Sequence, residues 1–128
     1  MNSGSGKYEV LVDYVSDWLN SLDRDLALDV YAAIKKLSCD GPRLGRPLVD
    51  RIKGSVFHNM KELRPLTRAG VEIRILFIFD PHRKAVLLVA GNKAEGKSRR
   101  IKWSGWYLRN IPVAERIYRE HLKAGDGK

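Results

Sequence analysis

Between Val71 and Asp80 the chain alternates with a period of two. Val71, Ile73, Ile75, Phe77 and Phe79 fall on one face of an extended segment, and Glu72, Arg74, Leu76 and Ile78 on the other. Segments of similar character flank it at Val56–Arg64 and Lys84–Gly91, and Asp80-Pro81-His82-Arg83 makes a tight link to the second of them. The pattern predicts a three-strand antiparallel meander. Upstream, Lys7–Tyr14 (KYEVLVDY) is β-prone and predicts an N-terminal strand. The period then changes: Val15, Trp18, Leu19 and Leu22 stand at i, i+3, i+4 and i+7 with Ser16 as cap. A second helix is expected over Asp25–Ser38, with Leu26, Val30, Ala33, Ile34 and Leu37 on one stripe and Gly41-Pro42 stopping it. Gly41–Gly54 is rich in turn formers and reads as a loop with room for one short extended piece. Near the end, Asn110 is expected to cap a helix beginning at Ile111-Pro112, with Ala114, Ile117, Tyr118, His121 and Leu122 on one side and Gly125 ending it. The order β-α-α-β-β-β-α implies a small α+β domain, a meander plus an N-terminal strand, with its helices on one face of the sheet. One domain over residues 7–124 is expected, with flexible termini at 1–6 and 125–128.

Length and composition narrow the classes. At 128 residues the chain can bury one core but not two. No apolar run approaches the ~20 residues of a membrane span, and the opening Met1–Gly6 lacks the apolar stretch of a signal peptide, so a cytoplasmic protein is expected. A single cysteine, Cys39, agrees with a reducing compartment. The net charge of +9 is unevenly spread. Residues 1–40 hold 4 Lys/Arg against 7 Asp/Glu, whereas residues 41–128 hold 20 against 8. A field of that sign over the later part attracts polyanions, nucleic acid above all.

Strand parity sorts the chemistry. His58, Met60, Glu62 and Arg64 are expected to point one way, and Phe57, Asn59, Lys61 and Leu63 the other. If Leu63 packs under the helices with the odd-numbered face of the next strand, then His58, Glu62, Arg64 and Arg74 share an uncovered surface. Cations, a carboxylate and an imidazole suit cleavage of RNA without a metal, in which a 2′-hydroxyl attacks its own phosphate. That reaction needs a base, cations for the charge growing on the phosphoryl oxygens, and an acid for the departing 5′-oxygen. Arg64 and Arg74 suit the second task, because a guanidinium meets phosphate bidentately and keeps its proton. Glu62 is either the base or the partner that orients Arg64 or Arg74; His58 is a further base candidate. Tyr107, Trp103 and Trp106 offer rings for stacking on a nucleobase, with Trp106 better suited to the core than to a ligand.

The run Met60-Lys61-Glu62-Leu63-Arg64, then Glu72–Phe77, then Leu87–Ala94, closed by Trp106-Tyr107, resembles the phage-derived, HigB-like branch of the RelE/ParE toxin superfamily from about Tyr8 to Leu122. The resemblance implies a RelE-like fold and the toxin of a toxin–antitoxin pair. Such a toxin is an endoribonuclease of messenger RNA, commonly at the ribosome, and is neutralised by an antitoxin that often carries a helix-turn-helix domain. It calls for no metal and no cofactor. The family pattern of cations and a late tyrosine falls on Arg64, Arg74, Lys93 and Tyr107, while Glu62 stands where the most basic members tend to hold Lys. The link before Trp106 looks longer than usual in this branch and is basic: residues 93–109 carry six Lys/Arg and one acid. Lys97, Arg99, Arg100, Lys102, Trp103 and Arg109, together with Lys53 and Lys61, are therefore expected to touch RNA. Two rivals stand beside this reading. One is a module of the same fold that grips RNA or its antitoxin without cutting. The other is a DNA-binding regulator, which lacks a basic recognition helix here.

Overall fold

The computed structural model describes residues 7–92 and 103–126. Five strands, β1 (Val10–Leu11), β2 (Val49–Arg51), β3 (Lys61–Leu63), β4 (Ile73–Phe79) and β5 (Ala85–Asn92), form one sheet in the order β1-β5-β4-β3-β2. β1 runs parallel to β5; the other neighbours are antiparallel. Helices α1 (Ser16–Ser21) and α2 (Arg24–Asp40) follow β1, and α3 (Trp103–Asp126) closes the chain. The α+β architecture and the meander are as the sequence implies.

The helices lie on both faces of the sheet, which corrects the one-sided arrangement expected above. The odd-numbered side chains of β4, Ile73, Ile75 and Phe77, join Leu63 and Leu87 against Val30, Ile34 and Leu37 of α2. The even-numbered Leu76 and Ile78 join Met60, Val86 and Leu88 against Ile111, Ala114 and Tyr118 of α3. Leu76 and Ile78 are fully buried. Each such aliphatic side chain taken from water contributes about 2 kcal/mol, and that burial is why the second face is covered rather than open.

Two turns of chain are tightly specified. Asp23 caps α2 by accepting from the Leu26 N–H at 2.9 Å. Gly41 ends α2 at a positive φ of 61°, and a Cβ there would meet the Tyr8 ring at 2.2 Å, so only glycine fits.

The expected strand over Val56–Arg64 is shorter than its sequence pattern. Only Lys61–Leu63 pairs, while residues 53–59 make turns anchored by Ser55 and Val56, whose Oγ and N–H donate to Glu115 Oε2 at 2.9 and 2.8 Å. The loop over 41–54 supplies the extra edge strand β2, in register Val49 to Leu63, Asp50 to Glu62 and Arg51 to Lys61. α3 begins at Trp103 rather than near Ile111, with Pro112 inside it. A proline there removes one intrahelical donor. Trp106 and Tyr107 packed on the sheet hold the preceding turns, and Asn110 Nδ2 donates to the Trp106 carbonyl at 2.9 Å instead of capping.

Candidate active site

The site forms where β3, β4 and the first turns of α3 meet. Glu62 lies opposite Leu76 in the sheet, on the face that α3 covers, and is only 2% exposed. A carboxylate so buried needs donors on its oxygens. Arg64 supplies them to Oε2, with Nε at 2.8 Å, and the Tyr107 hydroxyl donates to Oε1 in a short hydrogen bond. Burial and the Glu62 carboxylate push the Tyr107 phenol up to about 12, against a smaller opposing pull from the Arg74 and Arg64 cations. Both arginines therefore act on the same phenol. Burial disfavours the Arg64 cation, but the bond to Glu62 together with the charges of Glu62, Tyr107 and Asp50 outweighs this and raises its pKa.

Arg74, two residues before Leu76 on β4, is held from the α3 side. Its guanidinium lies over the Trp103 ring at 5.0 Å, and its Nη2 is 3.6 Å from Glu72 Oε1. The indole of Trp103 in turn donates to Glu72 at 3.1 Å. Among the described residues the buried Arg74 Nε has no hydrogen-bond partner. The backbone allows this approach through Gly91, opposite Arg74, where a Cβ would stand 2.5 Å from Trp106 Nε1. A register shift at Leu76/Phe77 helps turn Gly91 to that side. Trp103, Trp106 and Tyr107 form an aromatic cluster at the helix start, two of its three pairs edge to face, with ring centroids 5.2 to 6.3 Å apart.

Of the residues singled out from the sequence, the structure brings together Glu62, Arg64, Arg74, Tyr107 and Trp103. Parity placed Glu62, Arg64 and Arg74 on one face correctly, but that face is roofed by α3, not open. His58 is not on a strand. It sits exposed in a turn whose neighbours are tied to Glu115 and, through the Phe57 ring at 5.0 Å, to Tyr118, two to three helical turns beyond Tyr107. Lys61 is half-buried on the α2 side, its Nζ 3.5 Å from the Pro42 carbonyl. Lys53 and Arg109 are exposed. Lys93, Lys97, Arg99, Arg100 and Lys102 lie outside the described residues.

Sequence reasoning missed Asp50 and Arg46. Asp50 Oδ2 is 3.9 Å from Arg64 Nη2, and its Oδ1 is 3.2 Å from Arg46 Nε, so a chain of charges runs from Arg46 through Asp50, Arg64 and Glu62 to Tyr107. The Arg51 N–H, then Arg46, hold the Asp50 carboxyl below the usual carboxylate range. Their signal lay in cross-strand pairing with β3, which is invisible while β2 reads as loop.

The buried acid, paired arginines and late tyrosine sit at the positions that carried the family resemblance. Residues 17–119 match the family described as phage-derived protein Gp49-like. The chain belongs to that family. It is also 49% identical over 111 residues, 87% of its length, to a candidate toxin of Mycobacterium tuberculosis named HigB2, and spans 52% of that protein. A second candidate toxin of the same organism, HigB3, is 49% identical over 118 residues, 92% of this chain and 96% of its own. These matches support the phage-derived, HigB-like part of the resemblance. Among the described residues no three metal-ligating side chains gather, and no helix is long and apolar enough to cross a membrane.

Proposed function

We propose that this Gp49-like chain is the toxin of a toxin–antitoxin pair, neutralised by a cognate antitoxin, and that it cuts messenger RNA by 2′-hydroxyl attack at the Glu62–Arg64–Arg74–Tyr107 cluster. The observation that carries the reading is a phenol donating to a buried carboxylate that Arg64 also holds, with Arg74 seated on Trp103 of the same aromatic cluster. In this scheme the scissile phosphate sits against Arg64 and Arg74, whose fixed positive charge meets the charge developing on its oxygens. The 2′-hydroxyl gives its proton to the Tyr107 oxygen as the phenol passes its own to Glu62. The freed 2′-oxygen forms a bond to phosphorus, and the bond from phosphorus to the 5′-oxygen breaks. The leaving oxygen takes up a proton from solvent, giving a 2′,3′-cyclic phosphate and a 5′-hydroxyl.

Glu62 acts in this reading through Tyr107 and Arg64, since its burial and its engaged oxygens leave no room for direct contact with RNA. His58 takes no part. Trp103 fixes Arg74 and offers its ring to a base, and Lys93, Lys97, Arg99, Arg100 and Lys102 add contacts to the RNA backbone. The test is induction of the wild-type chain and Arg74→Ala in a bacterial host, with messenger 5′ ends mapped by chemistry that separates hydroxyl from phosphate. New 5′-hydroxyl ends with the wild type alone are expected, and their position relative to codons reports ribosome dependence. Intact messenger beside abundant folded wild-type protein would favour the module that binds without cutting.

A further inference from the structure

A second basic surface lies one strand away from Glu62, on the outer edge of the sheet. A groove of about 420 Å³ opens there between β2, β3 and the segment that follows α2, and Arg43, Arg46, Arg51 and Lys61 project into it with Asp50 as their carboxylate. Four cations face one acid. Arg51 and Lys61 stand directly opposite each other in the antiparallel β2–β3 register. Like charges across a strand pair destabilise a sheet, so this pairing works against folding unless something anionic is brought to it. Burial, and after it the Arg51 charge, lowers the Lys61 pKa. Asp50 relieves Arg46 and reaches toward Arg64, but it also links the groove to the site: Arg46, Asp50, Arg64 and Glu62 follow one another in contact.

We infer that this groove binds the sugar-phosphate backbone of single-stranded RNA next to the scissile linkage, so that the strand leaves the Arg64–Arg74 site across the β2 edge. The inference rests on the RNA-cleaving reading above and adds a subsite to it. A phosphate there neutralises the Arg51–Lys61 pair, while the open edge leaves the bases free, so the groove adds affinity without sequence choice. Arg43, Arg46 and Arg51 all precede β3 in the chain, so the groove draws on cations other than those of the basic run after β5.

The experiment uses the full chain and a 12-nucleotide single-stranded RNA, with affinity followed by fluorescence anisotropy over a range of salt. The chain carrying Arg43→Gln and Arg51→Gln is compared with wild type and with a control carrying Arg24→Gln and Lys35→Gln, which removes the same charge from α2. The groove variant is expected to bind about tenfold more weakly, and its salt slope to fall by about one, since each phosphate left without its cation on a single strand lowers that slope by about 0.7. Arg51→Lys, which keeps the charge, should restore most of the affinity. Thermal melting of Arg51→Gln should be no lower than wild type, because a repulsive pair has been removed. Equal losses in the groove variant and the α2 control, or no loss in either, would overturn the inference. Failure of the wild type to bind the oligonucleotide would overturn it as well, whereas failure of messenger cleavage on induction would remove the catalytic reading itself.

Discussion

Two buried carboxylates pin α3 to the sheet, one at each end, and they are held by different means. Glu62, 2% exposed, takes its donors from side chains: the Arg64 guanidinium and the Tyr107 phenol. Asp80, 5% exposed, takes two of its donors from the backbone of its own turn, the N–H groups of His82 and Lys84 at 2.9 and 3.0 Å. Its other oxygen accepts from His121 Nε2 at 2.9 Å, and His121 Nδ1 lies 3.0 Å from the Tyr14 hydroxyl. Burial works against the Asp80 anion, but the bond from His121 and the two backbone donors win and lower its pKa. Both clusters therefore join an acid to a tyrosine. Fourteen residues of α3 separate Tyr107 from His121, about 21 Å of helix. Only the Glu62 end places two arginines around its phenol, and only that end adjoins the basic edge. A carboxylate satisfied by its own backbone is a clamp, whereas one satisfied by a phenol and a guanidinium can take part in proton transfer.

Removing a charge or a hydroxyl at each end should separate the two roles. Arg74→Ala should lower cleavage by about 10²–10³-fold, the usual cost of losing one donor to developing negative charge, with little change in melting temperature. Tyr107→Phe should cost about a hundredfold in the rate of a single turnover, because the 2′-proton loses its path while Arg64 still satisfies Glu62. Asp80→Asn is expected to do the reverse. It should leave the rate per folded molecule within about twofold, yet destabilise the fold by about 3 kcal/mol in a urea titration by breaking a buried charged contact.

Acid and alkali separate the ends further. The lowered Asp80 pKa contributes stability that is present above its unfolded value, near 3.8, and is lost as pH falls through the still lower folded value. The stability gap between wild type and Asp80→Asn should therefore close in acid. Tyr107, raised from 10.0 to about 12, contributes stability that is complete below about 10 and disappears as pH rises through about 12. Between those values the wild type should lose stability relative to Tyr107→Phe, and the last phenol to ionise in the wild-type ultraviolet titration should be missing from the variant, although burial also raises Tyr14 and Tyr118. The smallest effect belongs to Tyr14→Phe, about 1 kcal/mol of stability for one partly exposed hydrogen bond and no change in cleavage.

How far each end could be read from the chain follows from its physics. The β4 alternation and the α2 stripe rest on local periods of two and 3.6, and both elements form near where those periods place them. Parity then put Glu62, Arg64 and Arg74 on one face. It could not tell that α3 roofs this face, because Asn110 and Pro112 read as a helix start. Trp103, Trp106 and Tyr107 continue the 3–4 spacing of Asn110, Ile111 and Ala114 backward, and that signal was stronger than the proline. β2 was hidden because three residues of an edge strand carry no period of their own, and with it went Asp50 and the groove. The Asp80–His121–Tyr14 clamp joins three residues up to 107 positions apart, and no local pattern announces such a contact. Its histidine, lined up with the apolar side of α3, reads as core.

In the proposed reading the chemistry belongs to the Glu62 end. The most direct test gives purified wild type, Tyr107→Phe and Tyr14→Phe one messenger RNA on ribosomes, in two forms that differ only in a 2′-deoxy substitution at the mapped cleavage site. Wild type and Tyr14→Phe are expected to cut the natural strand to a 2′,3′-cyclic phosphate, neither to cut the deoxy strand, and Tyr107→Phe to be slower by about a hundredfold. Cleavage of the deoxy strand, or a Tyr107→Phe protein as fast as wild type, would contradict that reading.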